Sequence, residues 1–117
     1  MIRDSSLNRL KPMVHVTFVD PRGHRRTVQA PFGHSAMETA VRHGVPGIEG
    51  ECGGNLVCAT CHAHVAPEWQ SKLKPPSRAE AELLDLTLGA TDASRLCCQI
   101  RLSPEHDGLE LLIPAHR

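Results

Sequence analysis

Three cysteines, two adjacent glycines and a histidine lie in one eleven-residue stretch, CGGNLVCATCH, from Cys52 to His62. Their spacing is Cys52-x5-Cys58-x2-Cys61. The other two cysteines, Cys97 and Cys98, are adjacent and about 36 residues downstream. Four thiolates suit either zinc or an iron–sulfur core. Structural zinc sites pair their ligands as two short knuckles. Here three sulfurs share one loop and the fourth comes from far along the chain, which fits a wider object, two irons bridged by sulfides. Gly50, Gly53 and Gly54 suit the same object, because glycine lets the backbone approach closely and turn its N–H groups toward sulfur. Such donors matter at an anionic site to which reduction adds a further negative charge.

The fourth ligand depends on the element that carries it. SRLCCQIRL, 94–102, reads as a strand, in which neighbouring side chains point to opposite faces. Leu96, Cys98 and Ile100 then share the apolar face, and Arg95, Cys97, Gln99 and Arg101 share the other. This pattern selects Cys98 as the inward ligand and leaves Cys97 as a bystander thiol.

The remaining elements follow from pattern and punctuation. MVHVTFVD, 13–20, alternates with period two, DPRGH carries turn residues, and RRTVQA, 25–30, is the returning strand. Ser35 and Glu38 form a capping-box signal for a helix that stops at Gly44. Residues 45–61 are too rich in glycine for regular structure and read as a functional loop. HAHVAP, 62–67, reads as a short strand. Ser77 and Glu80 repeat the capping-box signal for a helix over 77–89, with Leu83, Leu84 and Leu88 on its buried face. LELLIP, 109–114, closes the chain as a fifth strand. About five strands and two main helices without a regular βαβ alternation imply the α+β class.

Composition sets outer bounds. The 117 residues suit one domain, and 40% apolar residues suit a single core. We read 1–12 as a flexible N-terminal extension and 13–117 as the domain. The net charge is zero, with thirteen basic and thirteen acidic residues, which argues against a nucleic-acid partner. The first 30 residues are basic and the rest acidic, a surface suited to a basic protein partner. No stretch is long and apolar enough to span a membrane, and the first residues lack a secretory h-region. The expected location is the bacterial cytoplasm, ahead of a mitochondrial matrix. There thiols stay reduced, so clustered cysteines read as metal ligands rather than disulfides.

CGGNLVCATCH together with SRLCCQI closely resembles the vertebrate-type 2Fe-2S ferredoxins, the adrenodoxin- and putidaredoxin-like family, and the likeness runs from the first hairpin to DGLELLIP. The resemblance implies a β-grasp fold with a cluster-binding loop and one 2Fe-2S cluster on Cys52, Cys58, Cys61 and Cys98, with Gly53 and Gly54 in the cofactor loop. It implies that His62 hydrogen-bonds beneath that loop. It also marks the helix at 78–88 as an acidic docking surface, with Glu82 and Asp85 on one face and Arg78 diluting the charge. The implied protein is a monomeric one-electron carrier, not an enzyme. It passes electrons from an NAD(P)H-dependent flavoprotein ferredoxin reductase to a cytochrome P-450 monooxygenase. The alternatives are a housekeeping ferredoxin for iron–sulfur cluster assembly and, from another class, a zinc-stabilised structural or interaction module. His64 is expected at the surface, and Trp69 as a half-buried packing residue.

Overall fold

The computed structural model describes residues 13–48, 61–87 and 89–114. The expected extension 1–12 and most of the expected loop lie outside them.

Strand β1, Met13–Val19, shows the alternation that its sequence demands. Val14, Val16 and Phe18 are buried, while Met13 and His15 face water. Burying a side chain such as Phe18 is worth about 1.5–3 kcal/mol, enough to hold the register of the whole strand. The Asp20 carboxylate accepts from the backbone N–H groups of Arg22 and His24, and Gly23 takes a φ of +89°. This turn delivers β2, Arg25–Pro31, antiparallel to β1.

Helix α1, Ala36–Arg42, starts at Ser35 with both halves of the capping box in place. It buries Ala36, Met37, Thr39 and Ala40. Strand β3, His62–Val65, is followed by the single turn α2, Pro67–Gln70, which opens on proline at its first position, where the missing N–H costs nothing. Helix α3, Arg78–Asp85, begins at Ser77. Strands β4, Ser94–Leu96, and β5, Leu109–Leu112, complete one sheet in the order β2-β1-β5-β3-β4. The β1/β5 pair is parallel and the other three pairs are antiparallel. This is the expected α+β β-grasp, a mixed five-stranded sheet holding a helix. Leu96, Leu109 and Leu111 of the sheet belong to the same buried core as Ala36 and Ala40 of α1.

The strands expected at 62–67 and 109–114 end at Val65 and Leu112, with Pro67 opening the turn α2. Two further elements differ more from expectation. The strand at 94–102 ends at Leu96, and Cys97–Gln99 form a 3-10 turn. Successive residues of such a turn are about 120° apart, not 180°. The two-face rule therefore fails, and both Cys97 and Cys98 are buried. Cys97 does not lie on a solvent face with Arg101. Its amide donates to the Cys61 carbonyl at 3.0 Å. Helix α3 also ends early, at Asp85, with Leu83 and Leu84 packed against the core, Leu86 exposed and Leu88 outside the described residues.

Candidate metal centre

Cys61 immediately precedes β3, and Cys98 lies in the 3-10 turn that follows β4. Antiparallel pairing of these strands, with His62 opposite Leu96, brings the two segments together. Cys61 and Cys98 are both buried, and their thiols are in hydrogen-bond contact. That contact, and then burial, push the Cys61 thiol up, while the Cys98 backbone N–H bonded to its sulfur pulls the other way. The Gln99 side-chain N–H donates to the Cys98 sulfur at 3.3 Å. The described part of the site thus offers two converging sulfurs, each with an N–H donor, inside an apolar wall that includes Leu96 and Ile100. Soft sulfur donors shielded from water, with N–H groups to stabilise negative charge, fit an iron–sulfur cluster. The other expected ligands, Cys52 and Cys58, and the expected loop glycines Gly53 and Gly54 lie outside the described residues.

His62 is buried, and its Nε2 meets the Ser94 hydroxyl at 2.7 Å. The same oxygen accepts from the Thr91 N–H at 2.8 Å. The imidazole next to Cys61 is thereby tied to the turn that leads into β4. A bond from His62 to the 49–60 segment would lie outside the described residues. His64 packs edge-on against His62 and approaches the Gly89 carbonyl at 3.3 Å, so it is partly covered rather than a plain surface residue.

The acidic helix divides its carboxylates. Glu82 and Asp85 are exposed. Glu82 pairs with Arg78 at 3.4 Å, an exposed i,i+4 contact of small energetic weight. Asp85 forms no ion pair among the described residues. Glu80 behaves differently. It is 1% exposed and takes two hydrogen bonds from the Arg95 guanidinium, at 2.8 and 3.0 Å, and one from the Leu96 N–H at 2.8 Å. Arg95 also donates to the Lys74 carbonyl. This buried pair joins α3 to the strand that leads into Cys98, and sequence reasoning missed it. The available signal was Arg95 itself, a charged residue directly before the apolar Leu96 in a segment expected to pair inside the sheet. Trp69 is half-buried against the core, with the Lys72 ammonium 4.7 Å from its ring centre.

The 2Fe-2S iron-sulfur cluster binding domain family matches residues 19–103. The chain is 50% identical to ferredoxin CarAc of a Sphingomonas species, over 86% of this chain and 93% of that protein. It is 47% identical to a 2Fe-2S ferredoxin of Rickettsia conorii, over 87% and 90%. It is 43% identical to rhodocoxin of Rhodococcus erythropolis, over 87% and 96%. Among solved structures, a ferredoxin of Rhodopseudomonas palustris superposes with a TM-score of 0.84 at 47% identity, covering 88% of this chain and 98% of that one. Putidaredoxin in its covalent complex with putidaredoxin reductase gives 0.82 at 36% identity, covering 86% and 97%. The ISC-like 2Fe-2S ferredoxin of Pseudomonas putida gives 0.74 at 30% identity, covering 89% and 94%. With the sulfurs of Cys61 and Cys98 meeting inside a β-grasp, these likenesses place the chain in the adrenodoxin- and putidaredoxin-type 2Fe-2S ferredoxin family, as an electron-transfer protein carrying one 2Fe-2S cluster.

Proposed function

We propose that this ferredoxin takes single electrons from an NAD(P)H-dependent flavoprotein ferredoxin reductase and passes them to a cytochrome P-450 monooxygenase. The observation that carries the reading is the buried approach of Cys61 and Cys98, two segments far apart in sequence, with N–H donors on both sulfurs. Cys52, Cys58, Cys61 and Cys98 would hold the cluster, with Gly53 and Gly54 in the cofactor-binding set. The cluster supplies a one-electron couple that needs no proton or substrate chemistry from the protein. The chain's own work is to keep water from the sulfurs, to donate N–H groups to them, and to present a docking surface. His62 holds the Cys61 segment through Ser94. Glu82 and Asp85 form the acidic surface that meets a basic reductase. The likeness to putidaredoxin, whose reductase complex has been solved, supports the donor. The resemblance to the adrenodoxin- and putidaredoxin-like ferredoxins, which implies a cytochrome P-450 as recipient, supports the acceptor. The likeness to an ISC-like ferredoxin favours a second reading, electron supply for cluster assembly, at lower identity than rhodocoxin.

Replacing a rim charge acts chiefly on the encounter rate. Asp85→Asn is expected to slow cluster reduction by a basic reductase about two- to fivefold at low salt, the worth of one exposed ion pair. The deficit should shrink as the Debye length falls from about 30 Å at 0.01 M to about 8 Å at physiological ionic strength. Stopped-flow reduction across a salt series measures it, and equal rates at the lowest salt would remove α3 from the docking surface. For the ligand set, Cys98→Ser should block normal assembly of two irons and two sulfides, whereas Cys97→Ala should retain them. The reverse result would exchange the two cysteines.

A further inference from the structure

The change from strand to 3-10 turn at Cys97 has a consequence for the next side chain. In a continuous strand Cys98 and Gln99 would point to opposite faces. In the turn they are about 120° apart, and the Gln99 carboxamide reaches back to its neighbour's sulfur at 3.3 Å. A metal-bound thiolate only accepts, so the amide nitrogen, not its oxygen, faces the sulfur. Gln99 is half-buried, which shields this N–H dipole from the screening of bulk water.

We propose that Gln99 is a potential-setting residue: its side-chain N–H, held against the Cys98 sulfur by the 3-10 turn, stabilises the reduced cluster more than the oxidised one. Reduction adds one negative charge to a site that is already anionic, and a fixed donor on a ligand sulfur interacts more strongly with the more negative state. Glutamine carries no charge and does not titrate, so it provides this bias without adding to the charge that a partner meets. The inference rests on the reading of Cys98 as a cluster ligand.

The test is the midpoint potential of the purified cluster-bearing protein, followed by its visible spectrum and by the paramagnetic signal of the reduced form. Gln99→Met keeps the length and removes the donor. Poised at the wild-type midpoint, this variant should hold about five- to tenfold less reduced relative to oxidised cluster, the upper value equal to about 59 mV for one electron. Its oxidised spectrum and its iron and sulfide content should match wild type. Gln99→Glu, which sets an acceptor where the donor was, should move the midpoint further in the same direction. An unchanged or raised midpoint in Gln99→Met, with the cluster intact, overturns the proposal. Should Gln99→Met lose its cluster, wild-type protein labelled with 15N in glutamine side chains decides by pulsed paramagnetic resonance. Gln29 and Gln70 bond elsewhere, to His15 and to the Val65 carbonyl, so a coupled 15N nucleus reports Gln99. Absence of that coupling overturns the proposal. Cys98→Ser separates the two levels: normal assembly in that variant defeats the ligand reading, whereas its failure beside an unmoved Gln99→Met midpoint defeats only the role of Gln99.

Discussion

Two helices of this chain begin on the same signal, Ser35-x-x-Glu38 and Ser77-x-x-Glu80, and the two glutamates end in opposite places. At α1 the exchange is reciprocal. The Glu38 N–H donates to the Ser35 hydroxyl at 3.0 Å, and the Ser35 N–H donates to the Glu38 carboxylate at 2.8 Å. At α3 only the first half forms, with the Glu80 N–H on the Ser77 hydroxyl at 3.1 Å. The Glu80 carboxylate turns inward to Arg95 and the Leu96 N–H. A capping box offers a carboxylate one neutral donor. Strand β4 offers Glu80 a bidentate guanidinium and a buried backbone N–H, and charge-assisted bonds away from water are the stronger set. The same motif is thus a helix start in one place and a strut between α3 and the strand that leads into Cys98 in the other.

The largest test of that contrast is Glu80→Ala. It strands the Arg95 guanidinium and the Leu96 N–H, and breaking a buried pair in this way costs about 3–5 kcal/mol. Urea unfolding of the cluster-bearing protein measures it. A cost no larger than that of losing a cap would make Glu80 an ordinary capping residue and dissolve the comparison. Loss of the caps themselves comes next. Ser35→Ala and Ser77→Ala should each cost about 1 kcal/mol in the same assay. The two costs should be alike, because Ser35→Ala keeps the Ser35 backbone N–H on the Glu38 carboxylate and Ser77→Ala leaves Glu80 with its own partners.

The smallest effect is the most specific. The Ser35 backbone N–H, the leading influence, holds the Glu38 carboxyl below the usual glutamate range. Because the folded value lies below the unfolded one, the stabilisation is present above the unfolded value, about 4.5, and is lost as pH falls through the folded one. Glu38→Gln keeps an acceptor oxygen but does not titrate. It should cost only a few tenths of a kcal/mol at neutral pH, in line with surface changes, and its α1 should show no acid loosening through that window. Carbon-detected titration of Glu38 and amide exchange along α1 read both quantities. A Glu38 midpoint at the ordinary glutamate value would mean that the carboxylate half of the α1 box contributes nothing.

Much of the fold was legible because it is written locally. The alternation of Val14, Val16 and Phe18, the Asp20–His24 turn and the Ser35 cap each involve residues a few positions apart, and each formed where the pattern put it. The cysteine spacing pointed to an iron–sulfur cluster for the same reason, whereas the choice of Cys98 over Cys97 rests on the strand-face reading and the family resemblance. The face argument behind Cys98 was nevertheless mistaken in its premise. It assumed that the strand persists past Leu96, and a period-two pattern carries no mark of the point where a strand gives way to a tighter turn. Cys97 was placed outward on that assumption and lies fully buried.

By itself, then, the sequence determined most of the elements and the electron-carrier family, because helix caps, hairpin turns and cysteine spacing are short-range physics. Only the tertiary structure decided what Glu80, Cys97 and Gln99 do. Glu80 finds Arg95 fifteen residues away, once β4 pairs with β3 and α3 packs beside it. Gln99 finds the Cys98 sulfur once the chain leaves the sheet. Each side chain has a satisfactory local alternative, a cap, an exposed face or solvent. The choice is made by burial, which makes an unpaired polar group costly and a paired one strong, and burial is a property of the assembled sheet.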